Sequence, residues 1–153
     1  MKTTTQPFDL GLVERYLQPL QDEKLLSKVA GMVEYTTVKD LTSFVLPSAY
    51  VIMGPETAAP SPVPKAQVVD CLFGVVVVVR NLRVGSSGTA ALRDELYPIL
   101  GAIRERLIGW KPPELFKAVQ WVRGEPLEND KGVLVWLDQY RAQHVVRGRK
   151  CAQ

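Results

Sequence analysis

The sequence is poor in the residues that most often mark chemistry. Its 153 residues include one histidine and two cysteines. A single histidine, His144, cannot build the usual zinc site without cysteine partners, and Cys71 and Cys151 stand far apart in the chain. Two cysteines also fall short of a disulfide scaffold, so two idle thiols in a reducing compartment are expected. An excess of one charge sign is missing as well. Nineteen Lys and Arg against sixteen Asp and Glu leave +3, which gives no reason for a nucleic-acid or membrane surface over the whole molecule. Long apolar runs are absent. The most apolar one, Cys71 to Val79, has nine residues, whereas a membrane helix needs about 20. It fits a core strand buried on both faces. Met1 to Tyr16 contain no apolar stretch followed by small cleavage residues, so no targeting segment is expected.

Catalytic signatures are missing too. Gly85-Ser86-Ser87-Gly88-Thr89 lies between a strand and a helix, but it lacks the lysine and spacing of a phosphate loop. It reads as a plain turn, and Ser86 and Ser87 have no nucleophile-elbow pattern. Asp94 and Glu95 sit beside arginines on a solvated helix face. Glu125, Glu128 and Asp130 follow no calcium pattern and read as a soluble hairpin tip. His144 is expected on the wet or semi-buried side of the last strand. No catalytic, cofactor-binding or metal-binding residue is assigned, and no cofactor.

What the sequence does contain is a clear order of elements. The apolar fraction is 46% and the charged fraction 23%, as in globular domains. Leu10, Val13 and Leu17 predict a helix over Asp9 to Gln18, ended or kinked by Pro19. Leu25 to Val29 is a weak strand, broken at Gly31. Glu34 to Leu41 predicts a short helix burying Val38 and Leu41. Ala49 to Met53 reads as a strand closed by Gly54-Pro55. Three prolines in Glu56 to Pro64 predict a mobile loop.

The long strand is the most informative element. From Gln67 to Arg83 only Gly74 interrupts it, and a bulge or bend is expected there. Seventeen extended residues reach about 56 Å, against a domain only about 30–35 Å across. The strand must coil, bend or project beyond its own subunit. Thr89 is a fair N-cap for a helix over Ala90 to Leu107, with one stripe of Leu92, Leu96, Leu100, Ile103 and Leu107 and a kink at Pro98. Gly109 suits the C′ position. Phe116 to Arg123 and Gly132 to Val146 are the last strands, joined by a polar connection over Gly124 to Lys131. In the final strand Leu134, Trp136, Tyr140, Ala142 and Val146 alternate with Gln139, Arg141 and Gln143, which predicts one wet face. The expected fold is α+β, a single domain over residues 1–147 with a basic tail over 148–153. An antiparallel or mixed sheet carries helices mainly on one face, and a long β-hairpin projects. Arg141, Arg147, Arg149 and Lys150 make the tail region basic and solvated.

Four phrases together resemble the tail terminator proteins (minor tail protein U-like) of long-tailed bacteriophages. They are Pro47-Ser48-Ala49-Tyr50-Val51-Ile52 with its Pro-rich loop, the strand Val68 to Arg83, the helix Leu92 to Leu107 running on to Pro112, and Leu134 to Tyr140. The resemblance covers residues 8–147 and is one of element order and apolar phrases. It implies a structural virion protein, not an enzyme. Such a subunit forms a ring of six that caps the tail tube, stops its polymerisation and offers a docking surface to the head or neck. The implied partners are further copies of the chain, the tail tube protein and a head-completion or neck protein. DNA would be a passing strand in the lumen, and no membrane is involved. The implied location is the virion tail, assembled in the host cytoplasm. The family offers no residue set to carry over one by one.

A ring subunit needs surfaces that join neighbours. The loops Pro55 to Lys65 and Gly124 to Lys131 are best placed to reach one, the first ordering on assembly. Candidate interface residues are Glu56, Lys65, Arg80, Arg83, Glu125, Glu128 and Asp130, with Arg80 and Arg83 facing an interface or the lumen. Alternatives are another neck, connector or tube protein, or a small nucleic-acid-binding or ligand-binding α+β domain, which salt-dependent DNA binding would reveal.

Overall fold

The computed structural model describes residues 5–62, 65–81 and 88–149. One five-stranded mixed sheet, in the order β1-β2-β3-β5-β4, organises the fold. The elements run α1 (Gly11–Asp22), β1 (Lys28–Gly31), α2 (Met32–Thr37), a 3₁₀ turn (Leu41–Ser43), β2 (Ser48–Ala58), β3 (Ala66–Arg80), α3 (Gly88–Leu107), β4 (Lys117–Asp130) and β5 (Val133–Arg147). β1 pairs parallel to β2, and every other pairing is antiparallel. The α+β expectation with a mixed sheet holds.

β3 lies at the centre because its side chains are apolar on both faces. Val75, Val77 and Val79 point with Phe73 and Cys71 into the larger core, beneath α1 and α3. Val76 and Val78 point into the smaller core, beneath Tyr35 of α2 and Leu41 and Phe44 around the 3₁₀ turn. Helix α3 contributes Leu96, Ile99, Leu100, Ile103 and Leu107, the stripe its spacing predicts. β5 runs beside β3 from Val133 opposite Arg80 to Arg147 opposite Ala66, so the long strand is accompanied along its whole length.

Several boundaries differ from expectation for physical reasons. Pro19 lies inside α1, which continues to Asp22. Pro19 has no N–H to give, but its carbonyl still accepts from Glu23 N–H at 2.8 Å, and Leu20 anchors the last turn in the core. α2 is shorter and earlier than predicted and buries none of its residues, while Val38 and Leu41 are half-buried beyond it. Gly31 is the last residue of β1 rather than its breaker. β2 continues through Pro55 to Ala58, because a register shift between Met53 and Glu56 absorbs the proline. Gly74 is no bulge. It stays in register between Ile52 and Gln139, and a Cβ there would stand 2.6 Å from Leu137 Cδ1 and 3.0 Å from Ile52 Cγ1. It gives up its side chain so that its neighbours can fill the space.

The largest difference is the polar stretch Gly124 to Lys131. It is strand as far as Asp130, and only Lys131 and Gly132 turn. Both have positive φ, 52° and 75°, the requirement of a two-residue hairpin turn that matches strand twist. Pro126 is tolerated because β4 is an edge strand. Gly109 does adopt the left-handed helix-ending conformation, with φ of 86°. Arg83, Cys151 and the turn residues Gly85, Ser86 and Ser87 lie outside the described residues.

Candidate assembly surfaces

Alternation along β5 puts Leu134, Trp136, Asp138, Tyr140 and Ala142 on the face beneath the helices. A carboxylate therefore enters the core. Asp138 is fully buried, and it survives there because four donors reach it. Arg104 of α3 donates from Nε to Oδ2 at 2.7 Å and from Nη2 to Oδ1 at 2.8 Å. Trp136 Nε1 donates to Oδ1 at 2.9 Å, and the Tyr140 hydroxyl donates to Oδ2 at 3.1 Å. The hydrogen bonds to Asp138 hold Arg104 above the usual guanidinium range. Burial, then the Asp138 charge, pushes the Tyr140 hydroxyl well up. Arg104 also lies over the Trp121 ring, 4.8 Å from its centroid. A bidentate pair this well satisfied fixes α3 against β4 and β5.

This network floors an open groove of about 440 Å³ between α3 and β4, walled by Tyr97, Leu100, Gly101, Trp121, Gly124 and Trp136. Gly124 must be small. A Cβ there would stand 2.6 Å from Asp138 Oδ1 and 2.9 Å from Trp136 Cζ2. Trp121, Val122 and Leu127 are exposed along β4, Tyr97 is exposed on α3, and Ile108 is exposed in the turn just after it. The outer backbone edge of β4 is blunted. Three register shifts and Pro126 break the straight row of donors that strand addition needs.

The opposite edge is built differently. β1 has four residues and covers only Ser48 to Val51 of β2. Met32 and Val33 of α2 and Met53 of β2 are exposed there, Val33 at 72% and Met53 at 63%. Two carboxylates crowd the backbone at Gly31. Glu34 Oε2 accepts from Gly31 N–H at 3.1 Å, and a Cβ on Gly31 would run into Glu14 Oε1. Burial, and then the charge of Glu34, raise the Glu14 carboxyl above its ordinary value. The native state thus binds this proton more readily than the unfolded chain does. Its stability rises as pH falls through that raised value, and the ionised pair opposes folding at neutral pH. Glu14→Gln is expected to raise the urea midpoint at pH 7 and to flatten the profile just above the ordinary glutamate range. A lower midpoint with an unchanged profile would contradict this.

The candidate residues read from the sequence do not form one cluster. Glu56 and Lys65 lie at one end of the sheet, while Arg80, Glu128 and Asp130 lie at the other. From Val133, opposite Arg80, to Arg147, opposite Ala66 beside Lys65, β5 makes fourteen residue steps, or roughly 45 Å if straight at about 3.3 Å each. Glu56 is engaged within the protomer. Its Oε1 accepts from Phe8 N–H at 3.4 Å and lies 3.0 Å from His144 Nε2. His144 is therefore on the core side and only 2% exposed, not on the wet face. Its place two residues beyond Ala142 in the apolar alternation was the signal. Lys65 Nζ donates to the Arg149 carbonyl at 2.8 Å. Arg80 is exposed at the end of β3 and lines a small cleft with Leu46, Pro47 and Glu95. Glu125 pairs with Arg123. Glu128 is exposed on β4, and its charge helps raise the Tyr35 hydroxyl, after burial. Asp130 Oδ1 accepts from Lys131 N–H at 2.8 Å. Cys71 is buried, which pushes its thiol up to about 12, so it is an inert thiol at neutral pH. No cluster of three metal-ligating side chains occurs among the described residues. Sequence reasoning missed the Arg104–Asp138 pair and both exposed edges. An acid inside the apolar alternation of β5 was the available sign of the first.

A solved structure, the virion of native gene transfer agent (GTA) particle, contains a chain 16% identical to this one. The match has a TM-score of 0.42 and covers 76% of this chain and 78% of that chain. No curated protein matches the sequence. The family model for the phage tail terminator protein matches residues 3–150. That match spans nearly the whole chain, which therefore belongs to the phage tail terminator family of structural tail proteins.

Proposed function

We propose that this chain is a ring subunit that caps the end of the phage tail tube. The ring stops tube polymerisation and offers its other face to a head-completion or neck protein. Six copies close the ring around the passing DNA. The observation that supports this reading is that two unlike edges of one sheet each expose apolar side chains. One edge shows Trp121, Val122 and Leu127, and the other shows Met32, Val33 and Met53. Exposed apolar side chains gathered at a sheet edge mark contact surfaces. A subunit with two different contact edges associates head to tail and closes on itself when the rotation allows. Family membership supports the tail end as the place where this happens. The test adds purified chain to polymerising tail tube protein and images the products. Short tubes bearing a ring at one end are expected. Tubes of unchanged length with bare ends would refute the reading.

A further inference from the structure

The wet face of β5 is part of a larger exposed surface. On the side of the sheet away from α1 and α3, the smaller core ends at Ile52 of β2 and Leu137 of β5. α2 has only six residues and the 3₁₀ turn three, and their cover stops there. Beyond that row, register puts Arg141 and Arg147 of β5 on one face with Lys117 and Arg123 of β4. All four are exposed. Gln139 and Gln143 of β5 and Gln120 of β4 stand on the same face between them.

The strand positions of this half carry two acids. Asp70 accepts from Gln143 Nε2 at 2.7 Å, and Glu125 pairs with Arg123 at the boundary. Arg141, Lys117 and Arg147 form no ion pair among the described residues. Four cations against two carboxylates leave the strands positive. At the far end Lys65 and Arg149 add to that charge, and Glu114, just before β4, offsets one of them. The remaining acids of β4, Glu128 and Asp130, lie at the covered end, opposite Val135 and Val133. The cations run from the Gln139 row to Arg147, eight residue steps or about 26 Å, over a width of about 10 Å from β3 to β4. A strip of that shape can follow one backbone of a duplex past about eight phosphates, at about 3.4 Å each. Aromatic rings are missing from its strand positions, so bases have nothing to stack on. Trp121 turns to the other side of the sheet, under Arg104. Val68 apart, these positions expose no large apolar side chain, and a protein interface would need such anchors.

We propose that this half-face binds the phosphate backbone of double-stranded DNA without reading its sequence. Arg141, Lys117, Arg147 and Arg123 neutralise phosphates, and the amides of Gln120 and Gln139 donate hydrogen bonds to phosphate oxygens. This deepens the ring reading and rests on it, since that reading supplies the DNA. Contacts of charge alone hold no register, so the duplex can slide along the face.

The test is fluorescence anisotropy of the full chain with a labelled DNA duplex of about 30 base pairs across a salt series. A dissociation constant of roughly 10⁻⁶–10⁻⁴ M is expected near physiological salt, with a log–log salt slope of about −3 to −4 for four phosphate contacts. Arg141→Gln/Lys117→Gln should weaken binding at least about tenfold at roughly 0.1 M salt and make the slope shallower by about 2. Both side chains are exposed and unpaired, so the unfolding temperature should stay where it is. Arg93→Gln/Lys39→Gln removes the same charge from exposed sites elsewhere and should leave affinity and slope unchanged. A duplex of unrelated sequence should bind equally well. The assignment is overturned if the parent leaves the duplex free at about 50 mM salt, if the control pair weakens binding as much as the first pair, or if a single strand binds more tightly than the duplex. Arg141→Gln/Lys117→Gln protein that binds DNA like the parent but no longer caps tubes would overturn it in favour of an acidic protein surface. A parent that caps tubes without binding DNA would overturn the phosphate face and leave the ring reading standing. A parent that binds DNA as described but never caps a tube would remove the ring reading and keep the face.

Discussion

Asp138→Ala is expected to cost about 3–5 kcal/mol of folding stability, the range for removing one partner of a buried ion pair. The reason is what stays behind. Arg104 keeps its charge against an apolar wall, and the Trp136 N–H and Tyr140 O–H lose their acceptor. An orphaned buried donor costs roughly 1–3 kcal/mol by itself. The Arg104 side chain is 32% exposed, so it can turn partly to water, and the lower half of the range is expected. Asp138→Asn should cost less, since its carbonyl oxygen still accepts from some of the donors. Replacing both partners, with Asp138→Leu and Arg104→Met, should recover much of the loss, because a well-packed apolar pair carries no unpaired charge. Urea unfolding of the four proteins measures this. A loss under about 1 kcal/mol for Asp138→Ala would mean that water relaxes the site freely.

The same residue shows where sequence reading succeeds and where it stops. The periodicity of Leu96, Leu100, Ile103 and Leu107 defined α3 because each of those side chains enters one apolar core, so local pattern and tertiary burial agree. The apolar run at Val75 to Val79 marked the central strand for the same reason. Asp138 broke the apolar pattern of β5, and its partner lies thirty-four residues earlier on a helix. No local spacing carries that pairing. The stretch Gly124 to Lys131 looked like a loop because it is polar. An edge strand with a wet face is polar too, and only the positive φ of Lys131 and Gly132 locates the turn. The interface candidates were drawn from loop positions and charge. The fold also leaves apolar side chains exposed at both edges: Trp121 and Val122 on one, Val33 and Met53 on the other. Which strands become edges is a property of topology, and the order β1-β2-β3-β5-β4 is not written in any short window.

Phe73→Ala is expected to cost about 3–5 kcal/mol, the range for deleting a buried aromatic ring. Phe73 is 1% exposed at the middle of β3, with Met53 across one ladder and Tyr140 across the other. Its ring stacks on Tyr140 at 5.5 Å between centroids, with the planes 19° apart. Strands on both sides hold the backbone, so the surroundings cannot collapse into the vacated space. Phe73→Leu, which keeps most of the volume, should cost less than half as much. Tyr140 makes the effect more than a cavity. The same residue that stacks on Phe73 gives its hydroxyl to Asp138. Once the Phe73 ring is gone, Tyr140 can tilt, and its hydrogen bond to Asp138 weakens with it. Part of what Asp138→Ala removes is then already lost. The double variant Phe73→Ala/Asp138→Ala should therefore destabilise less than the two single losses added, by roughly 0.5–3 kcal/mol. To keep the double variant foldable, the cycle can be run in an osmolyte that strengthens apolar burial. Strict additivity would show that the aromatic core and the ion-pair network are separate units, with Tyr140 held by its backbone alone.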